Sequence, residues 1–168
     1  CFFDTLEQAE TFQKIIDDHL PPIQNNPEFF GEQYVVDSTG EFIRHETQLL
    51  IVSCSLSLKE AFHIVTDELG GLFIPAHINR TKFGLLPVLG FVPGDIPLIA
   101  LEISRHITPH QALEEYPYLK NYSLILGGDV HHPDDFLGAN IFEIENPTIS
   151  EIRQALLHQN GRKASIWY

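Results

Sequence analysis

The chain has 168 residues, enough to bury a sizeable core in one domain or a large piece of one. Its formal net charge of −13, from 23 acidic against 10 basic residues, repels a long polyanion unless local basic groups or bound cations intervene, so nucleic acid is disfavoured while small phosphate esters stay open. No apolar stretch reaches the length of a membrane span, no charged-then-apolar leader opens the chain, and Cys1 and Cys54 are too few for a disulfide framework. The expectation is a cytoplasmic protein without a membrane partner. Methionine is absent, so Cys1 is not an initiator residue and the chain is expected to be processed, trimmed or incomplete.

Residues 1–3 begin as though in mid-strand. Leu6, Ala9, Phe12, Ile15 and Ile16 then recur at helical spacing over residues 5–19, and Pro21-Pro22 stops that helix. Residues 23–30 are turn-rich, and residues 33–37 and 41–44 around Ser38-Thr39-Gly40 read as a hairpin; residues 21–50 therefore look like an insertion in a single domain. Ser57-Leu58-Lys59-Glu60 is a capping box that opens a helix running to about Leu69, where Gly70-Gly71 ends it. A short buried strand at 72–75 leads to Ala76-His77, and a second strand covers 98–103. Between them, Gly84, Pro87, Gly90, Pro93, Gly94 and Pro97 mark an irregular segment. Thr108-Pro109 caps a helix to Glu115. Residues 122–126 and 140–144 are further strands, separated by a polar turn in which Asp134 and Asp135 serve as caps. A last helix starts at Ser150.

Strand and helix thus alternate, which argues for parallel βα units. His77, Glu102 and the pair Asp129-Val130-His131 each fall at the carboxyl end of a strand in this series, where active sites of parallel α/β barrels gather. In an extended segment residues two apart project to the same side, so Asp129 and His131 can converge on one cation. Taken singly, Asp129 reads equally as a loop cap and His77 as a satisfied core histidine; their shared face favours a metal site.

Pro75-Ala76-His77-Ile78-Asn79-Arg80, followed by Gly128-Asp129-Val130-His131, resembles two motifs of the polymerase and histidinol phosphatase (PHP) family, which commonly shows Pro-Ala-His-Ile-Asp-Arg and Ser-Asp-Ala-His there. The resemblance extends to residues 55–60, Gly70-Gly71 and Pro147-Thr148. It implies part of a distorted (β/α)7 PHP-type barrel with the small β-hairpin insertion. Two or three divalent metal ions, usually zinc, manganese or iron, would hydrolyse phosphate esters in such a domain, with His77, Asp129 and His131 at ligand positions. The family's opening His-x-His motif is absent, so the chain matches the carboxyl-terminal two-thirds of such a domain and alone is expected to be inactive. An oligomer or a complementing amino-terminal segment is the partner this reading admits. Asn79 for Asp and Gly128 for Ser bear on hydrogen bonding around the ligands.

The first functional expectation is therefore a metal-dependent phosphoesterase acting on a small phosphomonoester or nucleotide through metal-activated water. Alternatives are a non-catalytic PHP-like binding or assembly module, and a nuclease. Arg80 is either a phosphate clamp or the partner of a surface carboxylate. Glu102 either orients a ligand histidine or is a paired structural charge. Arg105-His106 either reach an anionic group or lie in a solvated loop, and His132 points away from His131. Gly161-Arg162-Lys163 with Trp167 and Tyr168 offers weak grounds for nucleic-acid contact.

Overall fold

The computed structural model describes residues 1–167; Tyr168 lies outside them. Helix starts follow the local chemistry of the sequence. Thr5 caps α1 (Leu6–His19) and exchanges bonds with Gln8, Ser57 and Glu60 do the same for α3 (Leu58–His63), and Thr108 with Gln111 opens α5 (Pro109–Glu115). Each box satisfies amides that a helix leaves without internal partners. Beyond α3 the chain continues as a π-turn over Ile64–Glu68. A short turn of helix, α2 (Pro27–Phe30), and α4 (Leu85–Leu89) lie in the two irregular stretches, and α6 (Ile149–Leu156) is the last helix.

The hairpin forms as expected, with β1 (Tyr34–Val36) antiparallel to β2 (Phe42–His45) and an irregularity in register between Val35 and Val36. At the centre of the molecule β3 (Ala100–Ser104) runs parallel to β4 (Ser123–Gly127), pairing Glu102 with Ile125 and Ser104 with Gly127. The two faces of this pair have different fates, because side chains alternate along a strand. Leu101, Ile103 and Leu126 enter the main core with Val65, Ile78, Leu86 and Leu119. On the opposite face, Ala100 and Ile125 join Leu72, Ile149 and Leu156 in a second cluster at the amino ends of the strands. That same face carries Glu102, Ser104 and Gly127 toward the carboxyl ends.

The expected (β/α)7 barrel is not what the chain forms: the strands of the described residues make three separate two-stranded sheets, and only β3–β4 is parallel. Two local causes are visible. Residues 72–75 do not make a strand; Leu72 forms a single antiparallel bridge with Phe2, and Pro75, which has no N–H to give, supplies only its carbonyl to Glu102 N (3.0 Å). On the other flank, the Asn140 side-chain amide takes the place of a ladder, donating to Leu126 O and accepting from Leu126 N at 2.8 Å each. β5 (Asn140–Glu143) then pairs antiparallel with β6 (Lys163–Ile166). This last strand begins at Lys163, in the carboxyl-terminal segment for which the sequence indicates no element. Its neighbour Arg162 is held by Glu151 and Glu145, both at 2.8 Å. No helix of the described residues is long and apolar enough to cross a membrane.

Candidate functional site

The loop that follows Pro75 is pinned to β3 by backbone and side chain together. Ile78, fully buried, donates its N–H to Glu102 O (2.9 Å) and accepts from Leu86 N (2.9 Å). Asn79 accepts from Ser104 N (2.8 Å) through Oδ1 and donates to Ser104 Oγ (3.0 Å) through Nδ2. An aspartate here would lack the amide donor, so asparagine fits both groups of Ser104. Pinned in this way, His77 takes a positive φ of 27°, a region that costs a side-chain-bearing residue backbone energy. Its N–H donates to Glu102 Oε1 (2.8 Å), and its Nδ1 lies 3.2 Å from the same oxygen. In the neutral ring, a proton on Nδ1 facing this oxygen would leave the Nε2 lone pair free.

Across β4, Asp129 also has a positive φ, 46°. Its carboxylate is shared: Oδ2 lies 3.2 Å from Arg80 Nη1 and Oδ1 lies 3.5 Å from His131 Nε2. Arg105 is anchored by the next loop, where Nη2 donates to Asp135 O at 2.6 Å. Its Nε is buried and has no acceptor among the described residues. Asp135 in turn accepts from His131 N (3.3 Å) and His132 N (3.0 Å), which confirms it as a cap. Gly128 leaves the room for this, since a Cβ there would stand 2.8 Å from Val130 Cγ2 and 3.4 Å from Arg105 Nη2.

These residues surround a cleft of about 490 Å³ at the carboxyl ends of β3 and β4, lined by His77, Asn79, Arg80, Lys82, Arg105 and Asp129, with Thr81, Ser104 and His106 completing it. Three of the chain's ten Lys and Arg residues meet there against one lining carboxylate. The cleft is thus richer in cations than the chain as a whole, with Arg80 lying 3.2 Å from Asp129 and Arg105 3.8 Å from Asp135.

Of the residues singled out in the sequence, His77, Glu102, Arg80 and Asp129 come together, in two pairs. His131 touches the group only through Asp129 and is mostly exposed, at 76%. His132 is exposed as expected. Arg105 and His106 line the cleft from the turn after β3, Arg105 partly buried and His106 exposed. Lys82, Ser104 and Gly127 were not legible as site residues, although Arg80-Thr81-Lys82 is a basic cluster in an acidic chain. Among the described residues no three His, Cys, Asp or Glu side chains are placed to hold one metal ion. The pairing explains it: Arg80 and His131 occupy both oxygens of Asp129, and Glu102 faces His77. Zinc, manganese or iron would need ligands beyond His77, Asp129 and His131.

No protein-family model matches the chain, and no curated protein matches it. Two solved structures share its fold. One is the lesion-specific endonuclease PfuEndoQ from Pyrococcus furiosus, 21% identical with a TM-score of 0.66, over 96% of this chain and 36% of that one. The other is Endonuclease Q in complex with a 27-mer duplex substrate carrying an abasic lesion at the active site, 21% identical with a TM-score of 0.63 and the same coverage. At this identity the likeness establishes a common α/β fold. The chain spans about a third of the length of either endonuclease chain.

Proposed function

We propose that this chain forms the phosphodiester-binding wall of a hydrolase acting on nucleic acid. The cationic cleft at the ends of β3 and β4 carries this reading, and the fold shared with Endonuclease Q supports nucleic acid over a small phosphomonoester. Arg80, Lys82 and Arg105 are the groups that would meet the non-bridging oxygens. A guanidinium has five N–H donors, so Arg80 can keep Asp129 and still contact a phosphate. Glu102 fixes the tautomer of His77 and leaves Nε2 to accept a proton from an attacking water, while the arginines offset charge developing on the phosphoryl oxygens.

The test is binding and cleavage of labelled DNA, intact duplex and duplex with an abasic site, over a range of salt. Affinity is expected to fall as salt rises, and Arg80→Gln and Arg105→Gln should each reduce the slope of log K against log salt by about one. Salt-independent binding, or binding untouched by both substitutions, would overturn the reading. A second reading, a binding module without hydrolysis, is favoured by one observation: the carboxylates of Asp129 and Glu102 are already matched to partners in the chain. Binding without cleavage, with or without added Mn²⁺, would decide for the module.

A further inference from the structure

Glu102 rises from the face shared by β3 and β4, and its carboxylate lies over position 127 while it bonds His77, whose loop flanks the other edge of β3. Ser104 and Gly127 are register partners, so Glu102 and Gly127 are diagonal neighbours on the same face. A Cβ built on Gly127 would overlap the carboxylate oxygen and Cδ of Glu102 and stand 2.8 Å from its Cγ. The glycine has no positive φ to require it. What it supplies is empty space in the path of one side chain.

That side chain holds His77 twice, at the backbone N–H (2.8 Å) and at ring Nδ1 (3.2 Å). Both bonds go to one oxygen, Oε1, and both act on a residue in a disfavoured backbone conformation. Because the obstruction reaches Cγ, an alanine at 127 cannot be accommodated by turning the carboxylate alone; the whole Glu102 side chain must change rotamer. Its Oε1 then leaves His77, and the backbone of β4 has no cause to move.

We infer that Gly127 is a positioning residue for His77, acting through Glu102: the missing side chain leaves the space beside β4 in which the carboxylate sits while it fixes both the backbone and the ring of His77. The inference deepens the reading of the cleft as a phosphodiester site, and the two fail separately, because DNA binding tests the cleft while the His77 resonances test Gly127.

The experiment is NMR on the full chain, with the His77 backbone amide and ring signals identified by their loss in His77→Gln. In Gly127→Ala both sets of signals should move to where Glu102→Ala puts them, and the His77 amide should exchange at least about tenfold faster than in wild type. Adding Gly127→Ala to Glu102→Ala should then change neither, the non-additivity expected of residues that act as one unit. The thermal midpoint of Gly127→Ala should stay within about 3 °C of wild type. His77 signals unmoved by Gly127→Ala would overturn the inference, as would effects that add in the double variant. Should Gly127→Ala unfold, the double variant decides: if it folds, the clash with Glu102 is confirmed, and if it also unfolds, Gly127 serves the fold and the inference falls.

Discussion

The cleft and the hairpin are built on opposite terms. Around β3 and β4, the residues that carry the candidate site stand on fully buried side chains, among them Ile78, Leu101 and Ile103. In residues 21–51 only Leu49 is a buried hydrophobic, while Phe29, Tyr34, Phe42, Ile43 and Ile51 are exposed. Polar side chains hold that region in place of a core. Gln33 donates to Gln48 O (2.7 Å) and Glu46 O (3.1 Å), and Asn25 donates to Gly31 O (2.8 Å). Burial supplies most of the free energy of folding, whereas a hydrogen bond that replaces one to water contributes little net. Geometry precise enough for chemistry therefore resides in the first region, and the second can open locally without disturbing it.

The widest gap between the two regions should appear on truncating one isoleucine in each. Ile78→Ala removes a fully buried anchor of the His77 loop and should cost about 2–5 kcal/mol in urea denaturation. Ile43→Ala acts on a side chain 57% exposed and should stay within about 0.5 kcal/mol of wild type. Equal losses at the two sites would break the comparison.

Glycine sharpens it at a smaller scale. Gly84, with an ordinary φ of −69°, donates to Arg80 O (3.1 Å), and a Cβ there would overlap that carbonyl oxygen and stand 2.8 Å from Arg80 N and Ile78 O. Backbone atoms cannot swing aside, so Gly84→Ala should cost about 1–3 kcal/mol and weaken DNA binding through Arg80. Gly40 presents the converse case, with φ at +90° and nothing within 4 Å. Gly40→Ala meets only left-handed strain, about 1–2 kcal/mol at most. Confined to the hairpin, that loss should leave DNA binding unchanged.

What was legible in the sequence divides along physical lines. Ser57 and Thr108 declare their helices because a cap is settled within one turn, and the first helix shows in the spacing of Leu6, Ala9, Phe12, Ile15 and Ile16. The apolar runs of β3 and β4, with Glu102 and Asp129 toward their carboxyl ends, follow from local pattern as well; His77 does not end a strand, because residues 72–75 do not form one. The barrel did not follow, since strand pairing is settled at long range. Nothing local to Asn140 announces that its amide will clasp Leu126, or that β5 will take β6 as its partner. The cleft was hidden by an average: the net charge counts every carboxylate equally, while Arg80, Lys82 and Arg105 converge from two loops. Nor does sequence spacing disclose that Arg80 meets Asp129, because 49 positions separate them.

Hydrogen exchange should draw the same boundary residue by residue. Amides of the β3–β4 ladder, around the register pair Leu101–Leu124, are expected to exchange only on global unfolding. Those of β1 and β2 should exchange at least about a hundredfold faster through local opening. Comparable protection in both sheets would mean that the hairpin shares the core's stability.

The smallest effect is a pH dependence confined to the hairpin turn. Asp37 Oδ1 accepts from Thr39 Oγ1 (2.6 Å), Thr39 N (2.8 Å) and Glu41 N (3.0 Å). The Thr39 hydroxyl and then the Thr39 and Glu41 amides hold the carboxyl below its ordinary value of 3.8. A folded pKa depressed in this way adds stability that is present in full above the unfolded value and is lost as pH falls through the lower folded one. Between pH 7 and 5 the turn should therefore be unchanged. Below about 3.8 its Thr39 and Glu41 amide signals should move toward random-coil positions while those of β3 and β4 hold. Asp37→Asn, which keeps an acceptor oxygen but no titrating charge, should abolish the pH dependence in that window without abolishing the turn. A hairpin melting at the same pH in wild type and Asp37→Asn would assign the acid sensitivity to other carboxylates and detach it from the turn.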